Sequence, residues 1–371
     1  MNNAGILRAR RSLTLAGSVA SGALAALSAL AASVPTEQTA IVQRGFGGPE
    51  VLKLETVPVL EPGEGQVLVQ VYAAGVNPVD WKAREGINGR RIGTPPPAGR
   101  APALRIPGSD FAGVVAKVGP GVPDLKAGDA VAGSSGGNAA GTLNGSYSHF
   151  ALANASRLIP KPKNLTFAEA AALGTAAGTP AVGLYRLKIR PGQTLLVTGV
   201  AGGVGSAMAQ MAKARGARVI GTASARHNAF LKSIGVDEVV DYTQGDWSAR
   251  VSNVDAVFDT VGGADGEKAL GTVKKGGQFI GIANENGEPT EQQCAAAGVV
   301  CVALRRGQPG DPTERDMLNE VGRLANDGKL TLKVDRTFPL EQAGAAQELS
   351  REGHTEGKII LVVAPGAAER K

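Results

Sequence analysis

A glycine-rich turn between an apolar strand and a helix of small residues is the clearest chemical motif of the chain. The segment reads TLLVTGVAGGVGSAMAQMAK, and its turn residues are Gly199, Gly202, Gly203, Val204 and Gly205. Glycines in such a turn let the backbone approach a pyrophosphate and let the helix pack closely on the sheet. The first turn of the helix adds unpaired N–H groups and the positive end of the helix dipole. The sequence therefore predicts a dinucleotide site here.

The next strand, ARVIGTAS, should end beside the ribose of the adenosine. A site for NAD would offer an Asp or Glu there to bind the 2′-hydroxyl group, whereas this chain continues with Ser224, Arg226, His227 and Asn228. A guanidinium group forms charge-assisted hydrogen bonds with a phosphate. The sequence thus favours NADP(H) over NAD(H). A solvated helix start is the alternative interpretation of Arg226 and His227.

Polar side chains also follow the alternating strand VLVQVYAA, in the segment AAGVNPVDWKAREG. Asn77, Asp80 and Lys82 lie there without a His or Cys nearby in the sequence. Asp80 and Lys82 either take part in chemistry or form an ion pair that orients the loop. Trp81 is interpreted as a core residue because its ring is large and apolar.

Two kinds of fold pattern must position these groups. From residue 40 to about 161, short alternating strands separated by Gly and Pro predict an antiparallel, barrel-like domain. Continuous apolar strands then alternate with helices, which predicts parallel βαβ units in an open, doubly wound sheet. After about residue 311, short strands bounded by turns indicate a return to the first domain.

The composition indicates a globular protein with room for two domains and argues against binding of nucleic acid. With 371 residues, of which 43% are hydrophobic, the chain can fill two cores. The net charge is +6. Three of these charges come from arginines in the first 36 residues, which contain no acid, so the remainder carries only +3. Aromatic residues make up 4%, so nucleic acid is not an expected partner.

The N-terminus resembles an export signal. RARR at residues 8–11 precedes an uncharged stretch from 12 to 32, and residues 29–31 form a small-x-small cleavage candidate. The adjacent arginines and the weak hydrophobicity resemble a twin-arginine signal, with Leu13-Thr14 where Phe-Leu is usual. A membrane anchor, an organellar presequence and a start placed upstream of a cytoplasmic protein are the alternatives. We expect export to the periplasm and no stable membrane span, with a cytoplasmic location as the alternative.

Cysteine and histidine are too scarce for a metal centre. Cys294 and Cys301 are the two cysteines, and we interpret them as small buried thiols because a disulfide would close only a short loop. The three histidines, His149, His227 and His354, are not spaced as a pair. A catalytic zinc needs at least three converging ligands, so we expect no metal.

Residues 40 to 363 resemble the medium-chain dehydrogenase/reductase superfamily, in its zinc-independent quinone oxidoreductase branch. The motifs that carry the resemblance are AAGVNPVDWK, IPGSDFAGVV, GTAAGTPAVGLY, VTGVAGGVGSAMAQMAK, FDTVGG and EGKIILVV. It implies a GroES-like β-barrel catalytic domain built from both chain ends, an inserted Rossmann domain, NADPH in the cleft and a homodimer. The expected divisions are a signal-like segment at 1–36, the catalytic domain at 37–162, the Rossmann domain at 163–312 and the return at 313–371.

The resemblance also assigns roles to residues. Zinc enzymes of the superfamily have Cys where Val76-Asn77 stand and Gly-His-Glu at positions 108–110, here Gly-Ser-Asp. Asn77 and Asp80 match a polar pair that lines the cleft, and Lys82 replaces a frequent Tyr. Lys82 would donate to the substrate oxygen or bind the nicotinamide ribose. The implied cofactor contacts are Thr179 and Ile282 near the nicotinamide, the glycine turn with Val204 at the pyrophosphate, Tyr242 at the adenosine, and Ser224, Arg226 and Asn228 at the 2′-phosphate.

These roles imply hydride transfer to a small electrophilic acceptor, a quinone or an α,β-unsaturated carbonyl compound, without a metal. An enoyl-thioester reductase would use the same chemistry on a longer acyl chain. A non-catalytic NADP(H)-binding sensor or structural protein is the alternative from another class.

Overall fold

The computed structural model of the protein describes residues 34–87, 104–136, 142–283, 286–304 and 311–371. The predicted export signal falls on residues that lie outside these ranges. Within them, no helix combines the length and the apolar character needed to cross a bilayer.

The elements alternate between strands and short helices. The strands are β1 (Glu37–Gln43), β2 (Leu52–Pro58), β3 (Gln66–Val76), β4 (Asp110–Val118), β5 (Ala130–Ser134), β6 (Phe150–Asn154), β7 (Leu158–Pro160), β8 (Thr194–Val197), β9 (Arg218–Thr222), β10 (Glu238–Val240), β11 (Val254–Asp259), β12 (Val273–Gly281), β13 (Val300–Cys301), β14 (Val334–Pro339) and β15 (Lys358–Val362). The helices are α1 (Pro78–Arg84), α2 (Phe167–Ala171), α3 (Leu173–Leu187), α4 (Gly203–Ala214), α5 (Asn228–Ser233), α6 (Gly263–Gly271), α7 (Glu291–Ala297), α8 (Glu314–Asn326) and α9 (Ala343–Glu352).

Strands β3 to β7 form a mainly antiparallel sheet that the end of the chain completes, while β1 and β2 pair as a separate two-stranded sheet. Its order is β14-β15-β3-β4-β5-β7, and β6 pairs with β3. β15 runs antiparallel to β3, with Ile360 opposite Gly75. The last two strands therefore lie in the same sheet as the first part of the chain.

The middle of the chain forms a six-stranded parallel sheet in the order β10-β9-β8-β11-β12-β13. Its central strands β8, β9 and β11 are buried along most of their length, which explains their continuous apolar sequences. The strand order reverses between β8 and β11, and ligands of such sheets bind outside the carboxyl ends of the strands at this switch point.

The two sheets share an apolar core. One buried cluster includes Ala73 and Ala112 from the antiparallel sheet together with Leu195 and Phe258 from the parallel sheet. The sheets also meet through the backbone, because the N–H of Gly357 donates to the carbonyl of Ala201 at 2.9 Å.

The expectation of two separate thiols is wrong. Cys294 in α7 and Cys301 in β13 form a disulfide, with their Cα atoms 5.8 Å apart. The helix ends at Gly298, and the chain turns there and enters β13 beside β12. This tight return brings the two side chains together, which their sequence separation alone did not indicate.

Candidate active site

The glycine turn has the geometry of a dinucleotide cradle. Gly199 has φ of 59°, a left-handed conformation that glycine adopts without strain. A Cβ on Gly205 would lie 2.4 Å from the carbonyl oxygen of Gly199, so α4 approaches the turn too closely for any side chain there. α4 begins directly after Gly202 and runs for 12 residues. The turn therefore directs the start of a helix toward the carboxyl edge of the sheet, where a phosphate binds well.

The other predicted cofactor residues follow the ends of neighbouring parallel strands. Ser224 follows β9, Tyr242 follows β10 and Ile282 follows β12. Ser224 and Tyr242 lie on one side of the switch point, and Ile282, whose N–H donates to Asp259 at 3.0 Å, lies on the other. This order fits a dinucleotide laid across the crevice, with its adenosine toward β9 and β10.

The predicted adenosine end presents several polar groups directly after β9. The Ser224 hydroxyl is buried and has no hydrogen-bond partner among the described residues. Arg226 and Asn228 are exposed beside it, and the Tyr242 side chain is 39% exposed. An unsatisfied hydroxyl, an arginine and no carboxylate directly after β9 match the polar groups that a 2′-phosphate requires.

Asn77 lies at the centre of a buried polar network. Its side-chain oxygen accepts from Nζ of Lys358 at 2.6 Å, and its Nδ2 donates to Asp110 at 3.0 Å. Asp110 also accepts from the backbone N–H and the hydroxyl of Thr175, at 2.7 and 2.9 Å, at the start of α3. The network therefore ties the end of β3 to β4, α3 and β15.

Asp80 is fully buried in the first turn of α1. Its carboxylate accepts from the backbone N–H of Asn77 at 2.8 Å and from the Tyr147 hydroxyl at 2.9 Å. The first contact is half of a capping box, in which Asp80 at the third helical position fixes the entry into α1. Burial raises the pKa of Tyr147 well above its ordinary value, and the neighbouring charge of Asp80 raises it further. Tyr147 therefore stays protonated and remains a donor to Asp80.

Lys358 is a site residue that the sequence analysis did not single out. It is the first residue of β15, and its Nζ also donates to the carbonyl of Val76 at 2.7 Å. Its aliphatic chain lies against the start of α4, since a Cβ on Gly203 would be 2.5 Å from Cδ. Burial lowers the pKa of Lys358, and attraction to Asp110 and Asp80 partly opposes this. A charged residue that opens the otherwise apolar strand KIILV was the available sequence signal.

Lys82 and Thr179 complete the predicted set. Lys82 is half-buried on α1, with Nζ 5.7 Å from the centre of the Trp81 ring. Trp81 is buried, as predicted for a core residue. Thr179 is half-buried on α3, next to the proline inside that helix. Close by, a cavity of about 120 Å³ reaches Asp110, Thr175 and Gly178.

The positions at which zinc enzymes carry Cys and His hold hydrogen-bonding groups here. Ser109 donates its hydroxyl to Asp110 at 3.1 Å, beside the Asn77 contact. In the part of the chain that the structure describes, no three His, Cys, Asp or Glu residues come together as a metal site. The arrangement can orient polar groups and exclude water from the end of β3.

Comparison with known proteins agrees with this fold. Residues 63–163 match the alcohol dehydrogenase GroES-like domain, and residues 234–361 match a domain described as zinc-binding dehydrogenase. The chain is 35% identical to the chloroplastic NADPH-dependent alkenal/one oxidoreductase of Arabidopsis thaliana, over 90% of this chain and 82% of that protein. It is 32% identical to the quinone oxidoreductase of Rattus norvegicus, over 86% and 95%. The quinone oxidoreductase structure from Coxiella burnetii superposes with a TM-score of 0.76 at 31% identity, covering 88% and 100%.

The fold and these matches define an oxidoreductase of the medium-chain dehydrogenase/reductase superfamily. Within that superfamily, the chain belongs to the quinone oxidoreductase branch. The predicted fold class, a GroES-like barrel with a Rossmann domain, is confirmed.

Proposed function

We propose that this protein is an NADPH-dependent reductase that transfers a hydride to a quinone or an α,β-unsaturated carbonyl compound. The observation that carries the proposal is the buried network of Lys358, Asn77 and Asp110, which occupies the wall where zinc enzymes of the superfamily hold their metal. Relatives named for alkenal/one and quinone substrates support the acceptor class.

Such acceptors need little help from the protein because they stabilise negative charge themselves. NADPH, when bound, supplies the hydride. Asn77 and the residues bonded to it keep the end of β3 rigid and limit the access of water. Lys82 supplies an ammonium donor toward the acceptor oxygen, in the place where the family often has a tyrosine.

The residues that follow β9 determine the preference for NADPH over NADH. Arg226, with Ser224 and Asn228, binds the 2′-phosphate, while the turn from Gly199 to Gly205 holds the pyrophosphate. Tyr242 flanks the adenosine. Thr179 and Ile282 contact the nicotinamide.

Replacement of Arg226 by Glu tests the phosphate role. A hydrogen bond to a charged group contributes about 1.5–3 kcal/mol, so R226E should raise the KM for NADPH at least about tenfold more than the KM for NADH. The control is R218E, which makes the same charge change at the amino end of the same strand, where Arg218 pairs with Glu238. Equal effects of R226E on both nucleotides would refute the role.

A panel of acceptors separates the candidate functions. NADPH oxidation is measured with quinones, enones and enoyl-thioesters, and the proposal expects turnover with the first two classes. Preference for long enoyl-thioesters would support the thioester reductase instead. Tight NADPH binding without turnover of any acceptor would favour the non-catalytic alternative.

We also propose that the N-terminal segment directs export as a folded, cofactor-loaded protein. Its arginine pair and its mild hydrophobicity support a twin-arginine route. N-terminal sequencing of the mature native protein tests this, and a protein that begins at Met1 would contradict it.

A further inference from the structure

The Arg226 guanidinium group is fixed by two hydrogen bonds. Its Nε donates to Nε2 of His227 at 2.9 Å, and its Nη2 donates to the backbone carbonyl of His354 at 2.8 Å. Nη1 has no hydrogen-bond partner among the residues that the structure describes. The group is thus held in one plane, and an N–H edge remains for a ligand.

The hydrogen bonds define the tautomer of His227. An arginine nitrogen only donates, so Nε2 of His227 must be the acceptor and carry no proton. Nδ1 then carries the proton and donates it to Glu356 at 2.6 Å. His227 is buried although Arg226 beside it is exposed, so its contacts with Arg226 and Glu356 are shielded from water.

Glu356 is held in turn by the C-terminal part of the chain. Lys333, which precedes β14, forms an ion pair with its second carboxylate oxygen. Partial burial alone would raise the pKa of Glu356, but hydrogen bonds from Lys333 and His227 outweigh it and keep the pKa below its usual value. Glu356 therefore remains an acceptor, and a continuous chain of contacts links Lys333, Glu356, His227 and Arg226.

We propose that His227 and Glu356 are positioning residues that select NADPH by holding Arg226 in the orientation that receives the 2′-phosphate. The inference rests on the proposed phosphate role of Arg226. Long flexible side chains lose entropy when a ligand orders them, and a guanidinium ordered beforehand avoids much of that loss. Arg226 is thus oriented through His227 by Glu356, which lies 129 residues after His227 in the C-terminal part of the chain.

Two substitutions of His227 isolate its acceptor atom. In His227→Asn, the amide can still donate to Glu356 but no acceptor reaches Arg226. In His227→Gln, the side-chain oxygen can take the place of Nε2. Dissociation constants of NADPH and NADH are measured on the full chain by nicotinamide fluorescence. We expect H227N to weaken NADPH binding about fivefold while NADH changes less than about twofold, and H227Q to recover most of the loss.

The double variant with Arg226→Ala shows whether His227 acts through Arg226. If it does, H227N adds no further loss to R226A. Equal weakening of both nucleotides by H227N, or full additivity with R226A, would overturn the inference while the role of Arg226 stands. An unchanged NADPH-to-NADH preference in R226A itself would overturn both. Glu356→Gln, which keeps the size of the side chain, should give a smaller loss of the same selective kind, and it serves as the independent variant if H227N does not fold.

Discussion

Asp80 illustrates how burial changes the interpretation of a polar residue. The sequence placed it close to Lys82, either for chemistry or for an ion pair that orients the loop. In the structure its carboxylate accepts from the Asn77 backbone and from Tyr147. Burial also lowers the pKa of Arg105, and attraction to Asp80 opposes this. The contacts are those of a residue that positions Asn77, and a direct role in catalysis stays a prediction.

Replacement of Asp80 by Asn should therefore reduce stability. The variant removes the negative charge that attracts the buried Arg105 and accepts a hydrogen bond from the buried Tyr147. Loss of one partner from a buried charged network costs about 3 kcal/mol. Urea unfolding followed by circular dichroism measures the change in the free energy of unfolding. D335N, at an exposed position on β14, is the control and should change it by less than about 0.5 kcal/mol. A D80N protein as stable as D335N would contradict this account.

At the scale of elements, the dinucleotide site could be predicted because its determinants are local. A strand, a glycine turn and a helix follow one another within residues 194–214, and parallel packing then places the ends of β9, β10 and β12 at the same edge. The types of Ser224 and Arg226 and the absence of a carboxylate there are visible in the sequence itself.

Gly205 is needed for packing of α4 on the turn, whereas Gly202 leaves room for the proposed pyrophosphate. Alanine substitutions at the two positions distinguish these roles. A Cβ on Gly202 would lie 3.5 Å from the Gly199 carbonyl oxygen, which is an ordinary contact, whereas on Gly205 the distance is 2.4 Å. G205A should lower the free energy of unfolding by about 3 kcal/mol, and G202A by no more than about 1 kcal/mol. G202A should nevertheless weaken NADPH binding more than about tenfold, because its methyl group occupies the space that the pyrophosphate approaches. Thermal unfolding and nucleotide titration measure both effects, and full NADPH affinity in G202A would contradict the site.

The contacts that sequence reasoning missed join distant segments. Lys358 reaches Asn77 across 281 residues, and His227 reaches Glu356 across 129. Neither pairing has a local pattern, since both depend on how β15 returns to β3 and on where the C-terminal segment passes the parallel sheet. The disulfide was missed for a related reason, because it depends on the turn between α7 and β13. Residue types thus indicated the cofactor end of the site, while tertiary packing determined the polar network.

At the scale of the whole molecule, Lys358 links the end of β3 to the start of α4. The aliphatic part of Lys358 packs on the start of α4, and its ammonium group donates to Val76 and Asn77 at the end of β3. The Gly202 and Gly357 backbones also form a bridge immediately beside it. The spacing between the proposed pyrophosphate turn and the polar wall is therefore set by a buried cation.

A buried cation makes this junction sensitive to pH in a defined direction. Because burial lowers the pKa of Lys358 in the folded protein, the unfolded chain binds the proton more tightly in the window between that pKa and the unperturbed value of about 10.4. Stability contributed by this group should rise with pH through the window, by at most about 1.4 kcal/mol per pH unit. The cost of burying the charge is full below the folded pKa, decreases through the window and is gone above the unfolded value. Lys358→Met has similar length and does not titrate, so the difference in unfolding free energy between the natural protein and K358M isolates the effect from all other groups. Urea unfolding of both proteins from pH 7 to 10 should show that the natural protein becomes more stable relative to K358M as pH increases. If the natural protein instead becomes less stable relative to K358M as pH increases, the network of Asn77, Asp110 and Asp80 stabilises the ammonium group more than burial destabilises it.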